Sequence, residues 1–175
     1  MYFDGATSRH GKGARIVLKS SLGHILKFSY QLEFEATNNV VEYEALFLGI
    51  EMAKTLKVKL LSIKGDSNLV IMEIKNKFTC KNQRLRNCRN VVWDSMEYFD
   101  AIKLEVIPRE KNCFAYELAV AASTMQLSDK LIEDKTKTYI IFKPFIWDKS
   151  EHGQAFDNET HVIHFLNNLD KIKGF

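Results

Sequence analysis

The apolar positions change period along the chain, and the changes mark its elements. Met1-Tyr2-Phe3 reads as the end of a strand, stopped by an Asp4-Gly5 turn. Ala14 to Leu18 is a second strand. Gly23 lies in the turn before a third, His24 to Phe34, in which Phe28, Tyr30, Leu32 and Phe34 alternate strictly with polar residues, as in a half-buried strand. Thr37-Asn38-Asn39 then opens a helix. Val41, Ala45, Leu48, Met52 and Leu56 recur at spacings of four, three, four and four, which is one helical face. Leu60 to Ile63 is a short apolar strand closed by Gly65-Asp66-Ser67, and Asp66 or Ser67 can cap the helix that carries Leu69, Val70, Met72 and Ile74. A basic connection leads to another helix, Leu85 to Phe99. Leu104 to Ile107 is a last core strand, ended by Pro108, after which Asn112 caps a helix through Leu118, Ala119 and Ala122. Beyond Thr124 the pattern weakens, although Tyr139 to Phe142 suits a strand and His161 to Leu169 a helix.

Strands joined by short turns pair antiparallel, and strands separated by helices pair in parallel. The order therefore predicts an α/β fold. Its five-stranded mixed sheet, three antiparallel strands and then two parallel ones with helical crossovers, is flanked by helices over residues 1–125, with a partly ordered extension over 126–175. Composition agrees: 46% apolar and 27% charged residues in a chain of 175 suit one globular core and exclude a collagen-like or wholly disordered protein. The longest unbroken apolar run, Leu118 to Ala122, is five residues, against roughly 18 for a bilayer span, so no membrane association is expected. Asp4, Arg9, Lys12 and Arg15 interrupt the stretch where a secretory signal would lie. The three cysteines, Cys80, Cys88 and Cys113, have no metal-ligand spacing, and their odd number is no disulfide framework. An intracellular, reducing compartment is expected, cytoplasmic or nuclear.

Charge changes the picture more. The net charge of +3 hides a run from Lys75 to Arg89 that holds Lys75, Lys77, Lys81, Arg84, Arg86 and Arg89 without one acid. Such a run suits nucleic-acid phosphates; it equally suits a solvated helix face and loop. Three acids occupy related places. Asp4 ends the first strand, Asp66 ends the fourth, and Glu42 lies early in the helix after Asn39. Ligands of such sheets bind beyond the carboxyl ends of parallel strands. If strands one and four are neighbours, Asp4 and Asp66 stand side by side there, with Glu42 leaning in. Carboxylates crowded in this way repel one another unless a cation neutralises them, and hard oxygen ligands favour Mg²⁺ or Mn²⁺ over Zn²⁺. Each acid also has a structural explanation: a turn residue, a helix cap, and a favourable charge near a helix N-terminus.

Four segments in order resemble the signature of type 1 ribonuclease H domains. They are Tyr2-Phe3-Asp4-Gly5-Ala6; Thr37-Asn38-Asn39 through Glu42 to Leu46; Gly65-Asp66-Ser67-Asn68-Leu69-Val70; and Ile107 to Asn112 followed by Glu117-Leu118-Ala119. The resemblance is closest to the ribonuclease H domain of plant retrotransposon polyproteins, and covers about residues 1–125. It implies hydrolysis of the RNA strand of RNA–DNA hybrids by two Mg²⁺ (or Mn²⁺) ions, one activating water and one stabilising the leaving oxygen. On this resemblance Asp4, Glu42 and Asp66 are catalytic metal ligands. Asn38, Asn39 and Asn68 reach the minor groove, where 2′-hydroxyls mark RNA. The backbone at Gly5 and Ala6 approaches the RNA strand, and Lys75, Lys77, Lys81, Arg84, Arg86, Arg89 and Trp93 hold the DNA strand. A reverse transcriptase domain of an ancestral polyprotein is an implied partner.

The chain departs from the family pattern in three places. Tyr116 stands where the family has its fourth ligand, an aspartate. Tyrosine is neutral near pH 7 and a poor Mg²⁺ ligand, and Glu117 is a substitute only if the helix turn shifts, so the second ion should bind weakly. Only three residues precede Asp4, which predicts a truncated central strand that loosens it. Arg109 occupies the loop position where some members carry histidine. Tyr116 and the short first strand point to an alternative function, a catalytically impaired retroelement-derived module that binds hybrid or duplex.

Overall fold

The computed structural model describes residues 1–9, 11–112 and 136–144. Among these residues the sheet has six strands in the order β5-β4-β1-β2-β3-β6. Its strands are β1 (Tyr2–Ser8), β2 (Gly11–Lys19), β3 (Ile25–Leu32), β4 (Leu60–Gly65), β5 (Ala101–Val106) and β6 (Thr136–Ile141). The first three form the antiparallel meander, and β4 and β5 join β1 in parallel, as the element order predicts. The sixth strand is an addition to the expected five. It pairs in parallel with β3, so part of the 126–175 extension belongs to the sheet, and Tyr139 stacks on Tyr30 with ring centroids 5.4 Å apart.

The helices are α1 (Asn38–Thr55), α2 (Asn68–Ile74) and α3 (Gln83–Met96). Of the face predicted for α1, Val41, Ala45, Leu48 and Met52 are buried and Leu56, just past the helix, is partly so, but Tyr43, Leu46 and Ile50 are buried too. The reason is position: α1 lies between the sheet strands β1 and β2 on one side and α3 on the other, so little of its circumference meets water. Ser67 is the N-cap of α2, yet no side chain makes the capping bond. Asn82 does cap α3, accepting from the Leu85 N–H at 3.2 Å.

Two expectations about β1 fail. Asp4-Gly5 is not a turn: β1 runs on to Ser8 and pairs with β2 at every residue. Nor is Asp4 loosened. Phe3 is fully buried and Asp4 nearly so, and Met1 extends the parallel pairing, its nitrogen donating to the Ser62 carbonyl at 2.7 Å and its carbonyl accepting from the Lys64 N–H at 2.9 Å. The ladder with β2 carries on past Asp4 to Ser8. The helix expected after Asn112, with Tyr116 and Glu117, and the helix expected over His161 to Leu169 lie outside the described residues. No helix among the described residues is long and apolar enough to cross a membrane.

Candidate active site

Asp4 lies in the middle of β1, Glu42 in the second turn of α1 and Asp66 directly after β4. One carboxylate oxygen from each lies within 4.8 Å of the other two. The close approach depends on Gly5: a Cβ there would stand 2.5 Å from the backbone nitrogen of Glu42. Without one, the Gly5 N–H donates to Glu42 Oε2 at 3.0 Å and fixes that carboxylate against the strand.

The cluster resists full ionisation. Burial pushes the Glu42 carboxyl up to about 8, and the charge of Asp4 adds to the effect; the Gly5 N–H pulls the other way and loses. Burial also raises Asp4, reinforced by Asp66 and opposed by Arg15. Three carboxylates that cannot all hold their charge unaided, presenting hard oxygens at this spacing, fit a divalent cation of the Mg²⁺ or Mn²⁺ kind.

Each acid has one oxygen hydrogen-bonded to a neighbour. Arg15 lies directly opposite Asp4 in the β1–β2 register and donates from Nη1 to Asp4 Oδ2 at 3.0 Å. Asn112 Nδ2 donates to Asp66 Oδ1 at 2.8 Å and to the Phe3 carbonyl at 3.0 Å, linking β1 to the end of β4. Arg109 Nε approaches Asp66 Oδ2 at 3.9 Å from an exposed side chain. The sequence reading missed Arg15. Its signal was a lone charge inside the apolar strand Ala14 to Leu18, which needs a buried partner. Asn112, whose expected helix lies outside the described residues, holds Asp66 through its Nδ2 bond.

The expected nucleic-acid contacts divide. Gly5 and Ala6 lie on β1 beside Asp4. Asn38 and Asn39 open α1 one turn before Glu42, and Asn68 opens α2 two residues after Asp66, so each stands on an element that carries or follows one of the acids. Asn38 Oδ1 accepts from Thr7 Oγ1 at 3.3 Å. The basic residues form a separate group along α3 and its entry. Lys77 and Lys81 are exposed, and Lys75 is exposed while donating to the Leu104 carbonyl at 3.2 Å. Arg84 donates to the Glu35 carbonyl at 3.2 Å, Arg86 pairs with Gln83, and the Arg89 guanidinium lies 4.3 Å from the Trp93 ring centroid. Trp93 is half-buried and donates to the Ile74 carbonyl at 2.9 Å, so it ties α3 to the end of α2.

Comparison with known proteins agrees with this fold. Residues 2–122 match the family described as reverse transcriptase-like. Ribonuclease HI of Halobacterium salinarum is 31% identical over 120 residues, 67% of this chain and 60% of that protein. The bifunctional protein Rv2228c of Mycobacterium tuberculosis is 30% identical over 109 residues, which span 30% of its length. Among solved structures, the Halobacterium salinarum RNase H1 superposes with a TM-score of 0.64 at 30% identity, over 70% of this chain and 94% of that one. LC11-RNase H1 in complex with an RNA/DNA hybrid gives 0.60 at 28% identity, over 67% and 90%. The chain belongs to the reverse transcriptase-like family and carries a ribonuclease H domain.

Proposed function

We propose that the domain hydrolyses the RNA strand of RNA–DNA hybrids, using Mg²⁺ or Mn²⁺ held by Asp4, Glu42 and Asp66. The observation that carries this reading is the mutual approach of the three acids within 4.8 Å. It is supported by the ribonuclease relatives and by the hybrid seen with LC11-RNase H1. Divalent ions held by Asp4, Glu42 and Asp66 would supply an activated water and stabilisation of the leaving oxygen in an in-line displacement. The chain's own residues hold and orient. Gly5 fixes Glu42, Asn112 turns Asp66 toward the cluster, and the strand at Gly5 and Ala6 lies along the RNA. Asn38, Asn39 and Asn68 take the minor-groove edge and its 2′-hydroxyls. Lys75, Lys77, Lys81, Arg84, Arg86 and Arg89 hold the phosphates of the DNA strand, with Trp93 holding Arg89 in place.

A second reading has support of its own. Tyr116 replaces the fourth ligand, with Glu117 its nearest carboxylate in sequence, and Arg15 already engages Asp4. Both favour a module that binds hybrid and cuts it poorly. In either case we place the domain, residues 1–125, in a retrotransposon-type polyprotein beside a reverse transcriptase, with 126–175 as downstream linker whose β6 docks on the sheet. The test is incubation of labelled RNA–DNA hybrid, RNA duplex and DNA duplex with the protein and Mg²⁺ or Mn²⁺. Shortening of the RNA in the hybrid alone is expected. Retention of hybrid in a gel shift without cleavage selects the second reading, and no preference for hybrid in either assay overturns both.

A further inference from the structure

Arg15 is a buried cation at the carboxylate site that the ligand arrangement does not require. Its side chain is only 11% exposed and that of Asp4 12%. The register places the two residues directly opposite each other across β1 and β2, with Ser29 next in the row on β3. Antiparallel partners share a face, so the guanidinium is held beside Asp4 by the fold itself. Arginine cannot shed its charge in a protein, and a buried cation stays only where an anion compensates it. The other partners of the cluster are weaker. Asn112 and the Gly5 N–H are neutral, and Arg109 is 72% exposed at 3.9 Å, where solvent screens it.

The hydrogen bonding is incomplete as well. Arg15 binds Asp4 through Nη1 at 3.0 Å, while its buried Nε has no partner among the described residues. A carboxylate taken in a two-pronged fork would use both nitrogens. Asp4 therefore gives Arg15 one oxygen, and charge rather than saturated hydrogen bonding holds the residue there.

We infer that Arg15 is a resident counter-ion of the carboxylate cluster: it compensates Asp4 when no divalent ion is present and competes with that ion for Asp4 Oδ2. This rests on the metal-site reading above. Loading the cluster brings a doubly charged ion up to a carboxylate already shared with a buried guanidinium, so binding is weakened by repulsion and by the loss of an oxygen. A charge this close in a half-desolvated site is worth about tenfold in affinity or more.

The experiment is calorimetric titration of the full chain with Mg²⁺ and Mn²⁺, in wild type, Arg15→Gln and Arg15→Lys. Glutamine keeps a donor and removes the charge; lysine keeps the charge. We expect Arg15→Gln to bind about tenfold tighter or more, and Arg15→Lys to stay near wild type. We also expect metal-free Arg15→Gln to melt below wild type at pH 8 and to gain more from added Mg²⁺. Equal or weaker binding by Arg15→Gln overturns the role of Arg15 while leaving the metal site standing. Absence of binding in all three proteins overturns the metal-site reading itself. If Arg15→Gln does not fold, the Arg15 Nε–H resonance of wild type is followed during Mg²⁺ titration: movement along the binding isotherm supports the inference, and an unmoved signal at saturation overturns it.

Discussion

Replacing Glu42 by glutamine should change how stability depends on pH. In the metal-free protein the Glu42 carboxyl is pushed from 4.5 up to about 8. The unfolded chain has no such burial, so its carboxyl titrates near the ordinary value. Between those two pH values the folded state holds a proton that the unfolded state has lost. Stability rises with pH only where the unfolded state binds more protons; here the inequality is reversed, and stability falls. At about 1.4 kcal/mol per pH unit, the window spans about 5 kcal/mol, comparable to the whole stability of a marginal domain. Glutamine keeps an acceptor for the Gly5 N–H and cannot ionise, so this contribution disappears. Urea unfolding in EDTA from pH 4.5 to 8.5, on wild type and Glu42→Gln, measures it. The variant should gain on wild type steadily as pH rises and level off above pH 8. Asp4 is shifted in the same direction and remains in both proteins, so the difference isolates Glu42 together with its repulsion of Asp4. A stability difference that stays flat across the window would refute the reasoning. Saturating Mg²⁺ should erase most of the wild-type decline, since the ion then holds the ionised form.

Other substitutions test the framework around the cluster. Gly5→Ala places a methyl against the α1 backbone at 2.5 Å; it should cost about 3 kcal/mol or more in chemical unfolding and abolish metal binding, and a loss below about 1 kcal/mol would deny the tight contact. Asn112→Ala leaves the Phe3 carbonyl and Asp66 Oδ1 without their donor; about 1–3 kcal/mol of stability should go, together with affinity for the metal, as read by melting with and without Mg²⁺. Lys77→Ala with Lys81→Ala removes two exposed charges and should lower the slope of log affinity for hybrid against log salt by about 2. An unchanged slope places these lysines outside the interface.

The topology was legible because its signals are local. Strict alternation from Phe28 to Phe34 and the apolar face from Val41 to Leu56 survive as β3 and α1 with small shifts of boundary. Asp4-Gly5 misled because it is a turn dipeptide by local preference, whereas the structure uses the glycine for close approach between a strand and a helix. That need is visible only once α1 packs on β1. The gathering of Asp4, Glu42 and Asp66 followed from adjacency of β1 and β4. Their partners did not follow. Arg15 meets Asp4 through a cross-strand register, and Asn112 meets Phe3 across 109 residues of sequence. Trp93 meets the Ile74 carbonyl through its indole N–H, a contact between α3 and the end of α2 that no period encodes. The strand expected at Tyr139 to Phe142 forms as β6, from Thr136 to Ile141, but its place beside β3 depends on a pairing that periodicity does not encode.

The central claim is that the three acids form a working metal site for hybrid cleavage. Single-turnover cleavage of a labelled RNA–DNA hybrid in Mg²⁺ or Mn²⁺ tests it most directly, with wild type, Asp66→Asn and Tyr116→Asp side by side. The account predicts wild-type cleavage of the RNA strand that disappears in Asp66→Asn and accelerates in Tyr116→Asp. Cleavage that persists undiminished in Asp66→Asn, or silence in all three folded proteins, would contradict it.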